Sequence, residues 1–138
     1  MSETGVFEGG CLCGSVRYRI TGPISRAAHC HCNMCRKASG APVVTWVSVK
    51  TADLSWLKGA PAVYPSSEGC ERAFCAECGT QLTFQTDRHP NDMDITVGSL
   101  DQPELFVPAV HVWTSSALPW ICLDEHLPMH EELTPGFE

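Results

Sequence analysis

Nine cysteines in a chain of 138 residues constrain this protein more than any other feature of its sequence. Seven of them form three clusters: Cys11-x-Cys13, Cys30-x-Cys32-x-x-Cys35 and Cys75-x-x-Cys78. In an extended chain, residues two apart point to the same side, so a Cys-x-Cys pair can bind one ion. Gly79 suits the tight turn that a Cys-x-x-Cys pair requires. The clusters predict metal binding rather than disulfides, because the count is odd and cytosolic thiols stay reduced.

The clustered cysteines divide into a group of four and a group of three. The triplet within residues 30–35 can supply three thiolates to one ion, and the pairs at 11–13 and 75–78 can share another. A structural zinc site has four protein ligands, whereas a catalytic one has three and an open position. Thiolates suit zinc and iron–sulfur clusters alike, and the separated pairs favour zinc. We predict two zinc ions per chain; the alternative is seven buried or redox-active thiols.

The charge of the chain argues against nucleic acid as a partner. The net charge is -7, and among nine basic residues only Arg36 and Lys37 are adjacent. Nucleic-acid binding requires clustered Lys and Arg side chains that neutralise phosphates, and the sequence contains few of them. No apolar run approaches the roughly 18 residues of a membrane span. The start of the chain, residues 1–5, lacks the basic and apolar parts of a signal peptide. We expect a cytoplasmic protein that binds neither nucleic acid nor membrane.

The hydrophobic pattern predicts short strands. Val16, Tyr18 and Ile20 alternate with polar residues, which is typical of a half-buried strand. A strand and a short helical turn that ends near Gly40 are predicted around the triplet. Further strands are predicted within 43–49, 54–63 (two short edge strands), 72–84, 94–100 and 105–113.

No helical stripe of apolar residues is present, and ten prolines and eleven glycines interrupt the chain. The predicted class is mainly β, with small β-sheets pinned by zinc. The 15.0 kDa chain fits one domain over residues 1–138. We expect its core within about 5–120 and a loosely packed extension at 121–138.

The motifs together resemble those of the glutathione-dependent formaldehyde-activating enzyme family, which includes the centromere protein V relatives. The resemblance runs from Gly9 to about Trp120. It rests on Gly10-Cys11-x-Cys13-Gly14, His31-Cys32-x-x-Cys35-Arg36, Phe74-Cys75-x-x-Cys78-Gly79, Gly98-Ser99-Leu100-Asp101, His111-x-Trp113 and Pro119-Trp120.

This resemblance implies an Mss4-like fold and a carbon–sulfur lyase that joins glutathione and formaldehyde into S-(hydroxymethyl)glutathione. The implied partner is a small-molecule thiol or thiol adduct, such as glutathione. Arg36 and Lys37, beside the triplet, and His111 are the candidate substrate residues. The resemblance implies a structural zinc on Cys11, Cys13, Cys75 and Cys78, and a catalytic zinc on Cys30, Cys32 and Cys35.

Two other functions fit the same residues: a non-catalytic, zinc-stabilised binding module, and a redox or metal-handling protein that uses the triplet thiols. Cys70 decides between them if it completes the triplet, because a fourth ligand closes the site. Otherwise we expect Cys70 and Cys122 to be small buried thiols. We expect His29 and His31 to face away from the triplet, as packing residues or as acid–base groups.

Overall fold

The computed structural model describes residues 5–138, and most of its regular structure is β-strand. The strands of this part of the chain are β1 (Val6–Gly10), β2 (Arg17–Thr21), β3 (Ala27–Cys30), β4 (Val44–Lys50), β5 (Leu54–Lys58), β6 (Ala62–Ser67), β7 (Cys70–Phe74), β8 (Gln81–Thr86), β9 (Asp92–Thr96) and β10 (Pro108–Val112). One α-helix, α1 (Asn33–Ser39), and four short 3-10 helices accompany them: Thr51–Asp53, Val97–Ser99, Pro103–Leu105 and Thr114–Ser116.

The strands form two sheets. The smaller sheet has the order β1-β2-β5 and is antiparallel. The larger sheet has the order β10-β3-β4-β9-β8-β7-β6, with β10 and β3 parallel and the other pairs antiparallel. The two predicted edge strands correspond to β5 and β6, which lie at an edge of the smaller and the larger sheet. The prediction of a mainly β fold with small sheets is confirmed.

The main core lies where residues from the two sheets pack together. Tyr18 and Ile20 of β2 and Leu82 of β8 are fully buried in one continuous apolar cluster. The Tyr18 hydroxyl oxygen lies 2.7 Å from the Ser99 Oγ, so this buried polar group has a partner. Gly9 lies so close to the Tyr18 ring that a side chain there would collide with it. The absence of a side chain at Gly9 therefore allows β1 of the smaller sheet to pack closely against the core.

A second, smaller apolar cluster surrounds the cysteine triplet. Val44, Trp46 and Val112 pack there with two of the triplet cysteines, and Phe84 packs against the group. The cluster joins the ends of β3, β4 and β10, so it fixes the triplet at one side of the larger sheet.

Two predicted strands end earlier or begin later than the hydrophobic pattern suggests. β9 ends at Thr96, where the Ser99 hydroxyl donates to the Thr96 carbonyl oxygen at 2.9 Å and the chain turns. β10 begins at Pro108 rather than near residue 105, because the 3-10 helix Pro103–Leu105 comes first. In contrast, β1 was not predicted, and it pairs with β2 along its whole length.

The carboxyl-terminal segment is bound along β10 rather than loosely packed. The His111 N–H donates to the Pro128 carbonyl at 2.9 Å, and the His130 N–H donates to the His111 carbonyl at 3.0 Å. The Trp113 N–H donates to the Glu132 carbonyl at 2.9 Å. The expectation of loose packing is therefore wrong for residues 128–132, which cover the outer edge of β10.

Within residues 5–138, no helix has the length and apolarity that crossing a membrane requires. The interpretation of the amino-terminal residues as lacking a signal peptide rests mainly on Met1–Thr4, which lie outside the described residues.

Candidate metal centres

The first group of cysteines is assembled by two similar turns that lead into different sheets. Cys11 and Cys13 precede β2 of the smaller sheet, and Cys75 and Cys78 precede β8 of the larger sheet. Their four Sγ atoms all lie within 4.8 Å of one another. The Cys13 and Cys75 Sγ atoms, for example, are 3.8 Å apart. We call these residues the four-cysteine group.

Each turn of this group ends in a glycine with a left-handed backbone. The Gly14 N–H donates to the Cys11 carbonyl at 3.1 Å with φ 78°, and the Gly79 N–H donates to the Cys75 carbonyl at 2.8 Å with φ 81°. A residue with a side chain is strained in this conformation, so the glycines allow the chain to bend back around the sulfur atoms.

Main-chain N–H groups and hydroxyls point at these sulfur atoms and favour the thiolate form. The Val16 N–H donates to the Cys11 Sγ at 3.2 Å. The Thr80 hydroxyl, 3.3 Å from the Cys78 Sγ, and then the backbone hydrogen bonds of Thr80 and Cys13 hold the pKa of Cys78 at about 5. A metal ligand must be a thiolate, so this arrangement suits a bound cation.

The second group lies where β3 runs into α1. Cys30 is the last residue of β3, Cys32 caps the amino end of α1, and Cys35 lies in its first turn. Their three Sγ atoms lie within 4.8 Å of one another, and the Cys35 N–H donates to the Cys32 Sγ at 3.2 Å. Gly40 ends the helix with φ 72°. We call these residues the three-cysteine group.

Within the three-cysteine group, ionisation is favoured at Cys32 and disfavoured at Cys30 and Cys35, whose pKa values are raised. Hydrogen bonds from Cys30 and then Cys35 lower the pKa of Cys32 to about 2, and the same closeness raises the pKa of Cys30. Three adjacent sulfur atoms cannot all ionise without a cation, because like charges at this distance repel. A divalent ion would remove this conflict and allow all three to be thiolates.

Arg72 brings a positive charge to this group. Its two terminal nitrogens each lie 3.7 Å from the Cys35 Sγ, and its guanidinium carbon lies 4.9 Å from the centre of the Phe84 ring. Only 4% of Arg72 is exposed. A buried guanidinium needs a counter-charge, and the sulfur atoms of the group provide it.

Cys70 does not complete the three-cysteine group. Among the described residues 5–138, no further Cys, His, Asp or Glu side chain joins Cys30, Cys32 and Cys35. Cys70 is buried at the start of β7, as expected of a small apolar side chain. The prediction that Cys122 is buried is wrong, because this residue is exposed.

Three buried histidines lie beside the three-cysteine group and form a network of their own. The His29 Nδ1 lies 2.9 Å from the Thr45 Oγ1, and its Nε2 lies 2.8 Å from the Asp124 Oδ2. The His31 Nε2 lies 2.9 Å from the His111 Nδ1. His29 and His31 thus bond to neighbouring elements and lie outside the cysteine group.

The tautomers of His111 and His31 follow from the backbone carbonyl of Asp124, which bonds to the His111 ring. The His111 Nε2 lies 3.0 Å from the Asp124 carbonyl oxygen, which can only accept, so Nε2 carries the proton. The His111 Nδ1 of the neutral ring must then accept, and the His31 Nε2 donates to it. Burial, and then the neighbouring His111, lower the pKa of His31, which favours the neutral form of the His31 ring.

The candidate substrate residues differ in accessibility. Arg36 and Lys37 lie on α1 and line a cavity beside the three-cysteine group. His111 is only 2% exposed, and both its ring nitrogens are bonded within the protein. We therefore keep Arg36 and Lys37 as candidates for substrate contact and treat His111 as part of the buried network.

Sequence reasoning missed Arg72 and Asp124. Arg72 occupies a buried position of β7, and a lone arginine in a strand pattern does not reveal which sulfur it will face. Asp124 belongs to the segment that was expected to be loosely packed. The charged residue at an otherwise buried strand position was the one available signal for Arg72.

The model of the family described as "Glutathione-dependent formaldehyde-activating enzyme" matches residues 6–116. A Schizosaccharomyces pombe protein named an uncharacterized lyase is 31% identical over 78 residues, which are 56% of this chain and 56% of that protein. The match thus spans little more than half of that relative's length.

Two longer similarities extend these findings. A Halomonas elongata protein, provisionally named a glutathione-dependent formaldehyde-activating enzyme, is 28% identical over 126 residues, or 84% of this chain and 80% of that protein. A crystal structure of a Rhodobacter sphaeroides protein aligns with a TM-score of 0.58 and 19% identity, covering 88% of this chain and 98% of that one. The structural likeness concerns the fold alone.

Proposed function

Because this chain belongs to the glutathione-dependent formaldehyde-activating enzyme family, we propose that it is a zinc-dependent carbon–sulfur lyase that joins a thiol to formaldehyde. The family resemblance that the motifs indicated is confirmed by the match over residues 6–116. The enzyme class is supported by the family's description and by the lyase name of the yeast relative. We propose glutathione as the thiol, and a cytoplasmic location, where glutathione keeps thiols reduced.

The residues present fit zinc in both groups. Zinc binds cysteine sulfur at about 2.3 Å in tetrahedral sites, and sulfur atoms within 4.8 Å of one another can surround such an ion. We propose that the four-cysteine group holds a structural zinc and the three-cysteine group a catalytic zinc. The free state of all these cysteines agrees with that role.

One observation carries the proposal: the second group has three sulfur ligands and no fourth protein ligand among the described residues. A tetrahedral ion held by three protein ligands keeps one position for substrate, which separates catalytic from structural zinc. If Cys70 had joined the group, the binding module would be the better interpretation.

Zinc held by Cys30, Cys32 and Cys35 would stabilise the substrate sulfur as a thiolate at neutral pH. The sulfur then forms a bond to the formaldehyde carbon, the carbonyl π electrons move to oxygen, and that oxygen takes the proton that the thiol lost. The product is S-(hydroxymethyl)glutathione, and the reverse reaction cleaves the same carbon–sulfur bond.

The side chains of the chain itself supply charge balance and orientation. Arg72, 3.7 Å from the Cys35 Sγ, offsets the negative charge that three thiolates and a substrate thiolate accumulate. Arg36 and Lys37 lie on α1 and line the cavity beside the group, where they can hold the anionic groups of the thiol. Val44, Trp46 and Val112 exclude water from the back of the group, which strengthens these charge interactions.

NMR exchange spectroscopy of glutathione with formaldehyde tests this proposal. The native protein should accelerate the exchange over the uncatalysed reaction, which must be measured alongside. Cys32→Ser should abolish the acceleration while retaining the metal of the four-cysteine group, and Cys122→Ser is the matched control outside both groups. A protein that holds two zinc ions and accelerates exchange of no thiol would instead be a binding module; an empty, readily oxidised triplet would indicate redox function.

A further inference from the structure

A cavity of about 650 Å³ lies beside the three-cysteine group, between α1 and strands β6, β7 and β8 of the larger sheet. This volume falls within the roughly 300–1,000 Å³ of small-molecule sites. Three cationic side chains line it, Arg36, Lys37 and Arg72, together with Ser66 and Tyr64 of the edge strand β6.

Unpartnered polar atoms are concentrated in this cavity. Among residues 5–138, four buried side-chain nitrogen or oxygen atoms have no hydrogen-bond partner within the protein, and three of them belong to its lining. These are the Arg36 Nε, the Arg72 Nε and the Ser66 Oγ. Buried polar atoms almost always have a partner, so three such atoms on one cavity indicate a ligand that accepts hydrogen bonds.

The charge of the cavity is positive and not balanced by carboxylates. The described part of the lining contains no Asp or Glu, and none of its three cations forms one of the ion pairs of residues 5–138. Arg72 is 4% exposed, and the Cys35 Sγ contacts its two terminal nitrogens, so its Nε is left without a partner among the described residues. In a chain with net charge -7, this local excess of positive charge selects an anion.

We propose that this cavity is a subsite for one carboxylate of the thiol substrate, whose sulfur reaches the three-cysteine group. The inference rests on the proposed function and deepens it, because it selects carboxylate-bearing thiols over neutral ones. Arg72 links the two sites: its terminal nitrogens face the Cys35 Sγ at 3.7 Å, and its Nε is left for the carboxylate. A planar guanidinium matches a carboxylate in geometry as well as charge.

The Nε–H resonances of the arginine side chains test the subsite directly. The probe is 3-(methylthio)propionate, which carries a carboxylate but no free thiol, and its control is the neutral 3-(methylthio)propionamide. The acid should shift the Arg36 and Arg72 resonances saturably, with an affinity at least about 10-fold above that of the amide. Equal shifts with the amide, or equal shifts at the exposed Arg26 and Arg88, would overturn the subsite.

A variant pair tests the same inference by affinity. Arg36→Gln should retain the helix because glutamine has a helix propensity close to that of arginine. Arg88→Gln removes the same charge from an exposed position after β8. Arg36→Gln should lower the affinity for the acid about 10-fold, towards that of the amide, and Arg88→Gln should leave it unchanged. An unchanged affinity in Arg36→Gln would contradict the proposal.

The subsite and the lyase activity can fail separately. The exchange assay is repeated with 3-mercaptopropionate and 3-mercaptopropionamide as thiols. Acceleration of both to the same extent, without shifts at Arg36 or Arg72, would remove the subsite and leave the lyase. Saturable shifts at both arginines without acceleration of either thiol would remove the lyase and support an anion-binding cavity.

Discussion

The two cysteine groups of this protein present the same ligand atom in different surroundings. The four-cysteine group is held by two glycine-ended turns, and main-chain N–H groups and hydroxyls are its neighbours. The three-cysteine group has a buried guanidinium as its neighbour and a cationic cavity beside it. The comparison teaches that the number of sulfur atoms and the surrounding charge, rather than the type of ligand, distinguish the two groups that we propose to be structural and catalytic.

The groups also differ in what they connect. The four-cysteine group joins the turn before β2 to the turn before β8, and these strands belong to different sheets. The three-cysteine group joins only β3 and the helix that follows it. Damage to the first group should therefore disturb the whole fold, and damage to the second should disturb one side of one sheet.

The largest effect is expected from Cys75→Ser, which removes a fully buried member of the four-cysteine group, the group that we propose to hold a structural zinc. Loss of a structural zinc removes folding free energy on the order of several kcal/mol, so Tm should fall by roughly 10 °C or more. Thermal denaturation with metal analysis by mass spectrometry measures both quantities, and Cys122→Ser serves as control. Unchanged Tm with two zinc ions per chain would break the comparison.

The next effect is expected from Cys32→Ser, on activity rather than on stability. This substitution removes one of three ligands of the proposed catalytic ion, so the enzymatic exchange rate should fall at least about 100-fold. Tm should change far less than in Cys75→Ser, because the three-cysteine group connects only neighbouring segments. A collapse of Tm equal to that of Cys75→Ser would show that both groups are structural.

Arg72→Gln sharpens the comparison by changing charge without removing a ligand. The guanidinium offsets the negative charge of three thiolates, so the variant should lose metal from one site about 10-fold more readily. Titration with a colorimetric chelator should resolve the release of two metal ions. In the variant, only one of these ions should be released at a lower chelator concentration. Arg72→Lys, which keeps the charge, should recover part of the affinity. Equal shifts of both releases would contradict the assignment.

The smallest effect is expected at an ion pair beside the four-cysteine group. The Arg17 Nη1 donates to the Asp101 Oδ1 at 2.9 Å, and this hydrogen bond lowers the pKa of Asp101 below its ordinary value of 3.8. Since both side chains are partly exposed, Asp101→Asn should cost less than about 1 kcal/mol.

The pH dependence of this cost follows from the direction of the shift. A carboxylate whose pKa is lowered by folding stabilises the protein above its unfolded pKa, and this contribution is lost as pH falls through the folded value. The difference between Asp101→Asn and the native protein should therefore stay constant from about pH 8 to about pH 5 and shrink in 1 M salt. Urea denaturation under these conditions measures the difference in unfolding free energy. A difference that varied between these pH values would show that another titratable group is responsible.

The sequence predicted the cysteine groups well because metal ligands come in short, local pairs. Spacing alone brought Cys11 and Cys13 into one predicted group with Cys75 and Cys78, and the structure brings the same four sulfur atoms together. The strand of Tyr18 was equally predictable, because alternate burial leaves a period of two. β1 was not, since its Gly9 is required by a tertiary contact with Tyr18 that no local pattern records.

The surroundings of the groups could not be predicted, because they depend on how strands register. Arg72 lies on β7, where it pairs with Phe84 of β8, and it contacts Cys35 of α1 across 37 residues of sequence. Asp124 reaches His29 across 95 residues of sequence. Such contacts arise from packing between distant segments, and a local sequence pattern does not record them.

The distance along the chain between the cysteines has a consequence for how the protein acquires metal. Cys13 and Cys75 are 62 residues apart, and bringing them together in an unfolded chain costs loop-closure entropy. This entropy cost is small for the three-cysteine group, because its members lie within six residues of one another. An unfolded or nascent chain can therefore already bind a cation there. Metal at the triplet therefore adds little to the difference between folded and unfolded states. The proposed ion of the four-cysteine group would bind only as the chain folds, so folding would set when that group is loaded.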